Sequence, residues 1–109
     1  CENSGHKILY KRGMRPKVQI SEAEKQFDLL VRTANDQQVL ISINNETAVR
    51  DAWAAKIENP IIEICYSERV ASLSALAKEL RLIIVPHQQY DKVVTAFRSF
   101  DPIGELASR

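Results

Sequence analysis

Short aliphatic runs alternate along the chain with longer amphipathic stretches. The runs are Ile8-Leu9-Tyr10, Val39-Leu40-Ile41-Ser42-Ile43, Ile61-Ile62-Glu63-Ile64-Cys65 and Leu82-Ile83-Ile84-Val85. The last has no polar interruption and is closed by Pro86. A strand lacking apolar–polar alternation is usually covered on both faces, so Leu82–Val85 is predicted as the central strand of a parallel sheet.

Helical spacing fills the gaps. Ser21 with Glu24 three residues on forms a capping box. Ala23, Phe27, Leu30, Val31 and Ala34 follow on one stripe, ended by Asn35-Asp36. Asn44-Asn45 precede a second helix over 46–57, with Val49, Trp53 and Ile57 inward at steps of four, and Asn59-Pro60 breaks it. Ser67 is the expected cap of a third helix with Val70, Leu73, Leu76, Ala77 and Leu80 inward. A fourth helix, starting near Gln89, turns Tyr90, Val93, Val94 and Phe97 inward and stops at Asp101-Pro102, after which 102–109 opens another. At the start of the chain, His6–Lys11 and Val18-Gln19-Ile20 flank the turn signal Gly13-Met14-Arg15-Pro16, which predicts a β-hairpin.

Strands alternating with amphipathic helices imply βαβ units with right-handed crossovers. The predicted fold is a single small α/β domain over 1–109. It has a largely parallel four-stranded sheet, an N-terminal β-hairpin and helices on both faces. The 109 residues, 45% hydrophobic and 27% charged, suit one globular core. Apolar runs fall well short of the ~20 residues of a membrane helix, and no signal-peptide pattern is present. Cys1 and Cys65 are too few for a disulfide framework and fit a reducing, cytoplasmic setting. A chain opening at Cys1 reads as a domain excised from a longer protein or as a processed product. A lipidated N-terminal cysteine has the same form, but the signal that would direct it is not in the chain.

Charge changes the picture. The net charge of +1 conceals a surplus of four positive charges in residues 1–20 and an excess of three negative charges in the rest. Lys11, Arg12, Arg15 and Lys17 fall within seven residues at the predicted turn. Such a tip can hold phosphates or an acidic protein surface, with Tyr10 available for stacking; as a bare turn it is simply solvated.

Several chemistries are excluded or weakly supported. The three glycines are Gly5, Gly13 and Gly104, none between a strand and a helix of the α/β body, so neither the Rossmann fingerprint nor the P-loop is present. His6 and His87 are the only histidines and neither cysteine has a C-x-x-C partner, so no metal site and no cofactor are expected. Cys65 meets a helix N-terminus, a position that can lower a thiol pKa. A phosphatase-type loop would need an arginine where Ala71 stands, leaving a core cysteine as the alternative. Glu63 interrupts a strand that should be buried; it reads as the mark of an edge strand with the carboxylate facing water, or else as a nuclease-type acid lacking its companions. Asn44, Asn45, Tyr66, Ser67 and His87, with Gln88 and Gln89, fall at strand carboxyl ends, where open sheets bind ligands, or where Asn45 and Ser67 merely cap helices.

From Val18 to Cys65 the order of elements resembles the small α/β accessory domains of plasmid conjugative relaxases. Val18-Gln19-Ile20, the Phe27–Ala34 stripe, Val39–Ile43, Thr47–Ile57 and Ile61–Cys65 follow that arrangement. Arg12-Gly13-Met14 replaces the acidic-glycine turn of those domains, and 68–85 departs from them. The resemblance implies a non-catalytic part of a DNA-processing protein and carries over no site residues.

The expected function is therefore a non-catalytic accessory or interaction domain of a larger polypeptide. Its expected contact is nucleic acid or an acidic partner, through Lys11, Arg12, Arg15 and Lys17. One alternative is a small-molecule-binding or enzymatic domain using the strand ends near Ser67 and His87. Another is a structural or oligomerising module presenting Phe97, Phe100 and Ile103.

Overall fold

The computed structural model describes residues 6–16 and 18–107; Cys1 and Lys17 lie outside them. Five strands form one sheet: β1 (Lys7–Lys11), β2 (Leu29–Arg32), β3 (Gln38–Ile43), β4 (Ile61–Cys65) and β5 (Leu82–Pro86). Their order in space is their order in sequence. β1–β2 and β2–β3 are antiparallel, β3–β4 and β4–β5 parallel. The sheet is thus mixed and five-stranded, not four-stranded and largely parallel.

The difference originates between residues 12 and 37. Ser21 and Glu24 do form the capping box, with Glu24 N–H donating to Ser21 Oγ at 3.3 Å and Ser21 N–H to Glu24 Oε1 at 2.9 Å. The helix it opens, α1 (Glu22–Lys25), is a single turn. Phe27 then drops into the core, and Leu29-Leu30-Val31 continues as strand, Leu30 to one face and Leu29 and Val31 to the other. Alternating burial on two faces overrides the helical spacing of Phe27, Leu30, Val31 and Ala34. Asp36 turns the chain into β3 at φ +66°, and Thr33 N–H bonds Gln37 O at 2.8 Å. Val18-Gln19-Ile20 forms no strand, so the N-terminal hairpin is absent; β1 finds its antiparallel partner in β2.

The remaining helices are α2 (Glu46–Ala54), α3 (Val70–Ala77), α4 (Tyr90–Ala96) and α5 (Pro102–Ala107). Short 3-10 turns, Ser67–Arg69 and His87–Gln89, lead into α3 and α4. Helices cover both faces. One core unites Phe27, Leu30, Leu40, Ile61 and Cys65 with Val49 of α2 and Leu73 of α3. The other packs Val31, Val39, Ile62, Ile64 and Val85 against Val93 and Phe97 of α4 and Ile103 and Leu106 of α5. Each large apolar side chain so buried contributes about 1.5–3 kcal/mol.

Two strand assignments exchange places. β4 is buried at all five positions, whereas Leu82, Ile83 and Ile84 of β5 are only half-buried, because β5 is an edge. An aliphatic run reports coverage of its faces and says nothing of its rank in the sheet. Two aromatic predictions also change. Trp53 is 46% exposed, its indole N–H bonded to Glu79 across the α2–α3 ends, and Tyr90 is exposed at the start of α4. Phe97 and Ile103 are buried, leaving Phe100 alone of the expected surface patch.

Candidate functional site

The carboxyl ends of β3 and β4 gather the chain's least ordinary polar groups. In register, Ser42 of β3 lies beside Glu63 of β4, and Glu63 beside Ile84 of β5. Glu63 is 1% exposed, so neither an edge position nor an exit to water holds. Its Oε2 accepts the Asn45 N–H at 3.0 Å; Oε1 makes no well-formed hydrogen bond among the described residues, because the nearby Ser42 hydroxyl donates to Asn45 O at 3.3 Å. Burial pushes the Glu63 carboxyl above the usual range; the Ser42 hydroxyl and the Asn45 N–H oppose this, and Asp28 and Glu46 add to it. Asn44, at φ +52°, turns the chain so that Asn45 reaches this position. Asn45 Oδ1 accepts the Ala48 N–H at 3.2 Å and caps α2 as expected.

Cys65 closes the same row. Burial, followed by the neighbouring Glu63 charge, pushes its thiol up and outweighs the pull of Arg69. A thiol held protonated at 1% exposure is a core group, so the structure opposes a reactive Cys65. Above it Glu46 receives Arg50 at 2.6 Å and Arg69 at 3.4 Å. Chiefly through its hydrogen bond with Arg50, its carboxyl is held below the usual range.

The expected polar rim comes together only in part, at the ends of β4 and β5. Ser67 caps no helix; its hydroxyl donates to Gln88 Oε1 at 2.9 Å. Tyr66 and His87 meet edge-on, ring centroids 5.3 Å apart. Asn44 is exposed and Asn45 is engaged by the cap and by Gln26 O at 3.2 Å. The polar atoms of Ser67 and Asn45 are thus engaged by Gln88 and by the backbone, while Asn44, Tyr66 and His87 are exposed. Among the described residues no group of three or more His, Cys, Asp or Glu is placed to hold a metal, and no helix is long and apolar enough to cross a membrane.

The basic cluster sits where β1 runs out. Met14 N–H bonds Lys11 O at 2.9 Å, forming a turn with Gly13 at φ +89°. Arg12 N–H bonds Asp28 O at 2.9 Å and pins this turn to the start of β2. Lys11, Arg12 and Arg15 are all exposed. Arg12 faces Asp28 at 3.8 Å; Lys11 and Arg15 have no ion-pair partner among the described residues. Lys11, Arg12 and Arg15 thus lie at the end of β1 and on a pinned turn rather than at a hairpin tip, and Lys17 lies outside the described residues.

Two concavities escaped the sequence reading. One, about 350 Å³, lies between α4 and the sheet face, because α4 and α5 leave part of β1–β3 uncovered. Ile8, Leu29, Ile41 and Ile43 form its floor, with Tyr90, Val94 and Arg98 along α4. Tyr90 and Val94 at helical spacing were legible; that they face a groove and not the core was not. The other, about 820 Å³, is an open cleft at the opposite strand ends between Trp53, Lys56, Glu58, Glu79 and Arg81.

Comparison of the chain with protein families, with curated proteins and with solved structures gave no match. Of the elements underlying the relaxase-domain resemblance, the strands 38–43 and 61–65 and the helix 46–54 are present, while a strand at 18–20 and a long helix through 34 are not.

Proposed function

We propose that this domain is a non-catalytic accessory module of a DNA-processing protein and contacts nucleic-acid phosphates through Lys11, Arg12, Arg15 and Lys17. The observation that carries this reading is the exposure of Lys11 and Arg15, which have no ion-pair partner among the described residues, on either side of a turn pinned by Arg12 N–H to Asp28 O. Cations fixed on a constrained turn lose little entropy on meeting a phosphate. The strand ends support the non-catalytic part in that Asn45 is engaged as the cap of α2 and Ser67 is bonded to Gln88.

The test is a titration with single- and double-stranded DNA at several salt concentrations. Binding should weaken with salt, with a log–log slope of about −0.9 per phosphate neutralised on duplex DNA. Removing Lys11 and Arg15 together should flatten that slope by roughly 2. Absence of binding at low salt, or a slope indifferent to both residues, refutes the reading. A second reading rests on the groove beside α4. Its volume of about 350 Å³ and its aliphatic floor suit a small apolar ligand.

A further inference from the structure

The two edges of the sheet differ in kind. β1 carries Lys7 and Lys11 at its ends, and its register shifts between Ile8 and Tyr10. Terminal lysines and an irregular register are the usual protections of an exposed edge. β5 has neither. Its residues Leu82, Ile83, Ile84 and Val85 are aliphatic and half-buried or buried, its register with β4 is regular, and no described strand pairs with its outer side.

The outward groups of β5 can be assigned. Ile61 N–H bonds Arg81 O, so odd-numbered residues of β5 address β4. The backbone N–H and C=O of Leu82 and Ile84 therefore point away from the sheet. Pro86, next in that row, has no N–H and terminates it.

We propose that β5 pairs antiparallel with β5 of a second copy of this chain, about a two-fold axis through Ile83, to make one continuous sheet. In that register Leu82 exchanges both backbone bonds with Ile84 of the second copy, and Ile84 with its Leu82, so every outward group before Pro86 is satisfied. An antiparallel pairing is closed and self-complementary, whereas a parallel one would leave a new edge open. Charge fits the same arrangement. Arg81 precedes β5 and Asp91 begins α4 just beyond it, both are exposed, and neither has an ion-pair partner among the described residues. Antiparallel pairing brings the Arg81 end of each copy beside the Asp91 end of the other.

The test is sedimentation equilibrium of the full chain from micromolar to submillimolar concentration. The expected result is a concentration-dependent rise toward twice the 12.4 kDa chain mass. Leu82→Pro removes an outward N–H, at the cost of trimming a half-buried side chain that packs on the core, and should give a monomer with an unchanged far-UV circular dichroism spectrum. Arg81→Glu should raise the dimer dissociation constant roughly tenfold, since the pair occurs twice, and adding Asp91→Arg should restore it. A wild-type monomer throughout the range overturns the proposal, as does a dimer that persists in folded Leu82→Pro. If the proline variant unfolds, the charge exchange decides, and failure of Asp91→Arg to restore association overturns the proposal.

Discussion

Replacing Glu63 by glutamine should stabilise this protein, and by an amount that depends on pH. The carboxylate is enclosed at 1% exposure with Oε1 making no well-formed hydrogen bond among the described residues, and Oε2 is served by a single N–H. A buried acceptor left unsatisfied costs about 1–3 kcal/mol, more when charged. Glutamine keeps the acceptor toward Asn45 N–H and offers an amide donor toward the Ser42 hydroxyl in place of the orphan oxygen. The gain should be about 1–3 kcal/mol at alkaline pH, or about 4–8 °C of melting temperature per kcal/mol. The sign follows from proton linkage. In the unfolded chain Glu63 titrates near the ordinary 4.5, and in the folded chain burial moves it upward. Between those values the folded state binds more protons, so wild-type stability falls as pH rises, by at most about 1.4 kcal/mol per pH unit from this residue. At and below the ordinary value the two proteins should be nearly equally stable; above the folded value their difference levels off. Urea unfolding of both proteins at a series of pH values measures this, and comparing them cancels the other carboxylates. A variant less stable at neutral pH, or a difference independent of pH, would refute the account of Glu63.

The capping role of Asn45 is separable from that of Glu63: Asn45→Ala keeps the N–H that Glu63 accepts but loses the bond to Ala48 N–H. It should cost about 0.5–2 kcal/mol in the same urea titration, and a smaller loss would mean that α2 is held by packing alone. The groove beside α4 should enhance the fluorescence of an apolar dye in the native protein, and Val94→Asp, at a 40% exposed position, should abolish that signal while leaving stability within about 0.5 kcal/mol. Native protein that leaves the dye dark would remove the small-ligand reading.

What was legible in the sequence was local. Asn45 before an alanine-rich amphipathic run, Ile61–Cys65 after Asn59-Pro60, and Leu82–Val85 before Pro86 each mark an element whose identity is set by its neighbours in the chain, and β3, β4, α2, α3 and β5 appear where expected. What was not legible depends on pairing. Leu30 and Val31 satisfy the helical spacing from Phe27 and the strand pattern equally well, and only the presence of β1 and β3 on either side decides for strand. The exchange of roles between β4 and β5 has the same cause, although Pro86 at the end of the more apolar run was a sign of an edge. Glu63 is not legible because a lone polar residue in a strand ordinarily seeks water, and burial here depends on its neighbour in β3. Ser42 interrupting the adjacent run in the matching position was the available clue that a helix N-terminus received both.

His6 ties together parts of the chain that are made far apart in time. Its ring accepts the Ala34 N–H at Nδ1, 2.9 Å, and so carries its proton on Nε2, which donates to Ser99 O at 3.0 Å, 93 residues away. The ring also meets Phe97 edge-on. As the chain leaves the ribosome, β1 emerges early, but His6 just before it cannot settle until the segment after α4 exists, so this join must wait for most of the domain. Long-range closures of this sort slow folding and come late. The protection of Ala34 N–H against hydrogen exchange should accordingly be among the last to develop in refolding, and it provides a clock for the joining of the domain's two ends.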